Sequence, residues 1–141
     1  MFPVRNTHIV VKPTFIALLM CLCLPASGAG TFKGKVTSVA DGDTITVTTS
    51  DKKQFKIRFE GIDAPEAKQP FGDKAKKALS DKVLNKEVTV TWSKLDQYQR
   101  LLAYIYIGSQ WINKEMVAEG LAWHYVQYSN NQQLAIAQVA A

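Results

Sequence analysis

Thr44-Ile-Thr-Val-Thr-Thr49, a turn at Ser50-Asp51-Lys52-Lys53, and then Phe55-Lys-Ile-Arg-Phe59 decide the architecture of this chain. Polar and apolar residues alternate on both sides of the turn, the period of a strand with one face buried. A short polar connection between two such runs predicts a hairpin. Outward from it, Phe32 to Val39 supplies an earlier strand, and Glu87-Val-Thr-Val-Thr-Trp92 and Leu101-Leu-Ala-Tyr-Ile-Tyr106 supply two later ones. Five strands in so short a chain favour a small closed barrel, because closure removes exposed strand edges.

Between the third and fourth strands, Asp73 to Leu84 has helical spacing. Ala75, Ala78, Leu79 and Val83 share one face, with Lys74, Lys77 and Asp81 on the other. A second helix is expected from about Asn113 to Glu119, with Asn113 as its N-cap and Gly120 as its stop. Leu134 to Val139 would start a third. The expected class is mainly β (α+β), a five-stranded barrel with two to three helices.

The first 29 residues read differently. Arg5 and Lys12 give a basic start, Phe15 to Leu24 is unbroken apolar sequence, and Pro25-Ala-Ser-Gly-Ala29 supplies small residues. That is the pattern of a cleaved export signal, with residues 30–141 as the mature domain and a secreted or periplasmic location. The apolar run reaches only about half of the roughly 20 residues that span a bilayer, so no membrane association is expected after cleavage. Both cysteines, Cys21 and Cys23, lie in this segment. The mature domain therefore has no disulfide or thiolate site and depends on its hydrophobic core.

From Gly30 onward 15 basic residues face 12 acidic ones, a mild excess that favours polyanions without proving that they bind. Only Arg58 and Arg100 among the basic residues are arginines, each in an otherwise apolar strand context. A guanidinium where lysine serves elsewhere suggests bidentate contact with an oxyanion; a buried ion pair accounts for it equally well.

Two short segments carry the candidate chemistry: Asp41-Gly-Asp-Thr44 and Arg58-Phe-Glu-Gly-Ile-Asp-Ala-Pro-Glu66. Taken singly, each is explained by local turn chemistry. Together they say more. Asp43 shares a strand face with Ile45 and so points toward the end of the barrel interior, where a lone carboxylate is costly without a partner or a metal. Asp63 ends a neighbouring strand and could meet it. Two carboxylates, a backbone carbonyl and water make a hard oxygen site suited to calcium. Arg58 and Arg100 could stabilise charge developing on a phosphodiester, and Glu66 is an available carboxylate for deprotonating water.

These two segments, with Tyr98-Gln-Arg-Leu-Leu-Ala-Tyr-Ile-Tyr106 and Gly120-Leu-Ala-Trp-His-Tyr125, resemble the staphylococcal nuclease-like (thermonuclease) family, in order and in spacing, from about Lys35 to Tyr128. The resemblance implies an oligonucleotide-binding (OB-fold) type barrel of five strands with three helices. It implies calcium held by Asp43 and Asp63 carboxylates and the Ala64 main-chain oxygen, with Asp41 nearby. It assigns Arg58 and Arg100 to the scissile phosphate and Glu66 to the attacking water, with 3′-phosphate products. Three positions depart from the family pattern. Gln99 stands where glycine usually precedes the second arginine, Gln97 where a basic residue is common, and the sequence stops at Ala141, short of the family's usual third helix and the tail that follows.

Tyr98 adjoins Arg100 and is assigned a nucleotide contact, whereas Tyr125 and Tyr128 are left open between base stacking and core capping. His124, between Trp123 and Tyr125, is read as structural in preference to catalytic. Trp92, Trp111 and Trp123 are read as core or near-core residues. With no element shaped to read base edges, the expected substrates are single-stranded DNA and RNA, and duplex DNA less readily, cleaved by a monomer with little sequence preference. The main rival is a barrel that binds nucleic acid without cutting it; a structural or adhesive exported protein would leave the five charged residues unexplained.

Overall fold

The computed structural model describes residues 28–141. All but the last two residues of the expected export signal lie outside the described residues. Strand β1 spans Gly30–Asp41, β2 Thr44–Thr48 and β3 Gln54–Phe59. They form an antiparallel meander in which Val36 faces Val47 and Ile45 faces Ile57. A two-residue β4, Ile62–Asp63, follows, then helix α1, Gly72–Val83. Strands β5 (Glu87–Leu95) and β6 (Leu101–Ile107) come next, then β7 (Gln110–Trp111) and helix α2 (Ile112–Ala118). The short β8, Trp123–His124, and helix α3, Gln132–Ala140, complete the order.

The barrel runs β3-β2-β1-β5-β6 and closes through a parallel pairing of β3 with β6, Ile57 opposite Leu101 and Phe59 opposite Ala103. Strand β1 serves both halves. Gly30 to Lys35 pair with β5 and Lys35 to Asp41 with β2, and irregular register after Val36 and Val39 provides the local bend this double use needs. Ile45, Val47, Ile57, Phe59, Val88, Val90 and Ile105 fill the interior, all essentially inaccessible to solvent. The five-stranded barrel with three helices is the expected architecture.

The helices sit where the apolar spacing put them, with one exception in detail. Ala75, Leu79 and Val83 of α1 are buried, and Leu134 and Ala137 bury α3. Gly120 ends α2 at φ 70°, a left-handed turn suited to glycine. Asn113, however, is not an N-cap. Trp111 holds that position without a side-chain bond, and Asn113 lies inside the helix, fully buried. Its Oδ1 accepts from the Ile105 N–H at 2.9 Å, and its Nδ2 donates to Glu60 O and Ala103 O at 3.0 and 3.1 Å. It ties α2 to the barrel wall and gives buried backbone groups a partner, joining the Glu60 N–H at Ala103 O. Trp123 is a second correction: it is 46% exposed, while Trp92 and Trp111 pack partly against the core as expected. No helix of the described residues is long and apolar enough to cross a membrane.

Candidate functional site

The turn between β1 and β2 delivers Asp43 to one end of the barrel. Gly42 makes that possible. A Cβ there would lie 2.8 Å from the Ala75 Cβ and 3.0 Å from the Ala64 Cβ, so only glycine lets the turn tuck between α1 and the β4 segment. Asp43 is then buried, 5% exposed, with every visible partner close. Its Oδ2 accepts the Ala64 N–H at 2.8 Å and faces Arg58 Nη1 at 3.4 Å, and its Oδ1 accepts the Thr44 hydroxyl at 2.8 Å.

Arg58, on β3, stands between the two carboxylates. Its Nη2 meets Asp63 Oδ1 at 3.1 Å, while Nη1 donates to Phe59 O and Ile62 O at 2.9 and 2.8 Å. Bidentate chelation of one carboxylate is replaced by a bridge between two, with the strand-turn backbone fixing the guanidinium plane. Three of the five guanidinium hydrogens are thereby used, and among the described residues Nε–H and one Nη2–H have no partner and could meet an oxyanion. Both alternatives for this arginine, ion pair and oxyanion donor, are thus compatible with a single geometry.

Burial pushes the Asp43 carboxyl above the usual carboxylate range. Arg58 and the hydrogen bonds from Ala64 and Thr44 pull it down and do not fully offset the lost hydration; the charge of Asp63 adds to the rise. A buried carboxylate left under-compensated by its protein partners is suited to a cation. The surrounding donors, Asp63 and the carbonyl of Ala64, are hard oxygens, which fits a calcium-like ion and not a thiophilic one. Among the described residues no cluster of three or more His, Cys, Asp or Glu side chains is close enough to hold a metal. Two carboxylates do not complete a calcium shell, and the balance would fall to carbonyl, water and phosphate oxygens.

The Oδ1 of Asp41 accepts the Ala67 N–H at 2.9 Å and so holds the segment after Glu66 against the β1–β2 turn. Glu66 is exposed, with its own N–H donating to Gln69 Oε1 at 2.9 Å. Its carboxylate therefore projects from a braced backbone into solvent-accessible space.

Arg100 is not within a strand; it stands one residue before β6. Because Leu101 pairs with Ile57, its backbone reaches the barrel beside the strand that carries Arg58. Its Nε donates to Asp96 Oδ2 at 2.8 Å, its own N–H to Asp96 Oδ1 at 2.9 Å, and its guanidinium lies 5.3 Å from the centre of the Tyr98 ring. Binding through Nε leaves the two terminal nitrogens without a partner among the described residues. Tyr98 is 68% exposed, its N–H donating to Asp96 Oδ1 at 2.8 Å. Asp96 was not singled out by the sequence. Burial alone would raise its carboxyl, yet the Arg100 N–H, the Arg100 guanidinium and the Tyr98 N–H bring it below the ordinary value. The available signal was the Asp96-x-x-x-Arg100 spacing in a turn, which also describes many solvated loops.

Gln99 adopts φ 63°, the left-handed conformation that glycine takes freely. A residue other than glycine thus holds the left-handed position of the turn before Arg100. His124 is buried opposite Ile62 in the β4–β8 pair, and neither ring nitrogen has a hydrogen-bond partner among the described residues.

A family model for staphylococcal nuclease homologues matches residues 56–141. An uncharacterized endonuclease of Haemophilus influenzae is 48% identical over 97 residues, 69% of this chain and 54% of its own length. A micrococcal nuclease of Shigella flexneri is 35% identical over 133 residues, 88% of this chain and 75% of its own. A staphylococcal-like nuclease of Arabidopsis thaliana is 40% identical over 83 residues, 59% of this chain and 26% of its own. The chain thus spans about half the length of the first of these relatives.

Proposed function

We propose, from the premise that this chain belongs to the family of staphylococcal nuclease homologues, that it is a calcium-dependent endonuclease cleaving DNA and RNA with little sequence preference. The observation that carries this reading is the Asp43–Arg58–Asp63 bridge at the barrel end, a buried carboxylate and a partly free guanidinium held 3.4 Å apart.

Asp43, Asp63 and the Ala64 carbonyl would hold the ion, which when bound supplies positive charge to the phosphate oxygens. The protein's own contribution is positional. Arg58 offers Nε–H and Nη2–H, and Arg100 offers its terminal nitrogens, to non-bridging oxygens whose charge grows as the phosphorus becomes five-coordinate. Glu66, exposed on a braced loop, accepts the proton of the attacking water. The new P–O bond forms from that water, the bond to the 5′ oxygen breaks, the departing oxygen takes a proton from solvent, and a 3′-phosphate and a 5′-hydroxyl result.

A flexible single strand fits this shallow barrel-end site better than a stiff duplex, so duplex DNA is the slower substrate. The mature domain from Gly30 acts as a secreted or periplasmic monomer in this reading. The test is degradation of single-stranded DNA with calcium, with chelator, and in Arg58→Ala. Calcium-dependent cleavage that falls by about 10²–10³-fold in the variant is expected, the size of effect seen when one oxyanion donor is removed. A folded wild-type protein that binds the strand without cutting it would select a nucleic-acid-binding barrel instead.

A further inference from the structure

Beside the Asp63–Glu66 loop lies a cavity of about 540 Å³, lined in part by Pro65, Phe71, Lys74, Glu119 and Trp123. It contains none of the residues placed in the chemistry above. Its volume falls in the range of small-ligand sites, and two of its walls are aromatic. Phe71 is 77% exposed and Trp123 46%, so each ring has a face open to solvent.

The placement of both rings is enforced. Phe71 has φ 64°, a conformation that a bulky residue adopts only when its surroundings impose it. The surroundings are identifiable. Gly72 N–H donates to Gln69 O at 2.9 Å and Gln69 N–H to Glu66 O at 2.8 Å, and a Cβ on Gly72 would sit 1.8 Å from Glu66 O. The start of α1 is therefore clamped onto the backbone of Glu66. Trp123 is anchored from the other side, its β8 residue pairing with Asp63 in β4. Each ring is thus linked through main chain to one of the two ends of the Asp63–Glu66 loop.

One cation at the cavity is open to an anionic chain. Glu119 is engaged by Lys82 at 2.7 Å, a lysine that also meets Glu115 at 3.3 Å, whereas Lys74 makes no ion pair among the described residues. Exposed aromatic faces with an unpaired cation beside them are the elements with which proteins hold single-stranded nucleic acid. A protein partner would account for the apolar faces but not for their tie to the Asp63–Glu66 loop.

We propose that Phe71 and Trp123 form a stacking subsite for a nucleobase flanking the cleaved bond, with Lys74 holding an adjacent phosphate. The inference rests on the phosphodiesterase reading and narrows its substrate to an extended single strand, since paired bases do not open their faces to two protein rings.

Phe71→Gly removes one ring at a φ that glycine accepts, so the turn is retained; Trp123→Ala removes the other. Two substrates are compared: a thymidine decamer, and a nitrophenyl phosphodiester of thymidine that carries no flanking base. Either variant is expected to raise KM for the decamer about 10-fold at unchanged kcat, and to leave the small ester unaffected. An unchanged KM for the decamer overturns the subsite. Equal losses on both substrates overturn it too, because the rings then serve the fold or the chemistry. Decamer binding to Arg58→Ala, followed by fluorescence anisotropy, separates this inference from the hydrolase reading. Binding weakened about 10-fold by Phe71→Gly in a protein whose wild type cuts neither substrate retains the subsite and removes the nuclease. Binding indifferent to the ring removes the subsite and leaves the cavity to a protein partner.

Discussion

Asp43 is where sequence, folding energy and chemistry meet most closely. Its carboxyl is raised by burial, so the folded state binds a proton there more tightly than the unfolded chain does. The sign follows: in metal-free protein the contribution of Asp43 to stability is greatest at low pH and is lost as pH rises from the ordinary carboxylate range through the raised folded value. A bound cation relieves that penalty. Calcium at 10 times its dissociation constant should therefore add about 1.4 kcal/mol and raise the melting temperature by roughly 5 °C near neutral pH. Differential scanning calorimetry of the wild type and Asp43→Asn with calcium and with chelator checks this; a calcium-induced rise of equal size in the variant would place the ion elsewhere. The residue was legible beforehand because an acidic side chain in phase with Ile45 has few reasons to point inward. Its link to Arg58 was not, since the same arginine could have served as an oxyanion donor alone. In the structure the ion pair occupies some guanidinium hydrogens, and an oxyanion contact would draw on others.

At the scale of elements, the β5–β6 connection holds most of what the sequence concealed. Alternation located the strands, with β6 beginning at Leu101 as expected, but it carries no signal for how the preceding turn holds Arg100. Asp96 organises that turn through the Tyr98 and Arg100 N–H groups and holds the Arg100 guanidinium. Asp96→Asn keeps one oxygen for the backbone donors and sets an NH₂ group against Arg100 Nε–H. The expected result is a fall in kcat of roughly 10- to 100-fold from misplacement of Arg100, with a much smaller change in melting temperature. The lowered carboxyl of Asp96 stabilises the fold above its unfolded value, and this contribution is lost as acid protonates the folded carboxyl. The difference in stability between wild type and Asp96→Asn should accordingly shrink below about pH 4. Gln99 shows the reverse situation: where the resemblance has glycine, this residue holds a left-handed backbone angle that glycine takes freely. Gln99→Gly relieves the left-handed strain and adds freedom to the unfolded chain, for a net gain of about 0.5–1 kcal/mol measurable by urea denaturation. A loss of stability would mean that the Gln99 side chain contributes something its backbone angle does not reveal. Asn113 illustrates a different limit. A polar residue at the head of an apolar run reads as a cap, and nothing local distinguishes that from a side chain aimed at a neighbouring strand.

For the molecule as a whole, the barrel could be anticipated because five alternating runs leave too many edges for an open sheet. The pairing that closes it could not, since parallel partners distant in sequence carry no turn signal. That pairing, Ile57 with Leu101 and Phe59 with Ala103, is also expected to set the order in which the protein folds. The β1–β2–β3 meander and the β5–β6 hairpin are local and can form early, whereas joining β3 to β6 closes a long loop and is entropically deferred. Arg58 lies on one side of that seam and Arg100 on the other. On dilution from denaturant, far-ultraviolet circular dichroism should therefore recover before hydrolysis of single-stranded DNA does, with the enzymatic signal following the slowest phase. A nascent chain that has made most of its strands would still be harmless to nucleic acid, and destructive capacity would arrive only with the last seam.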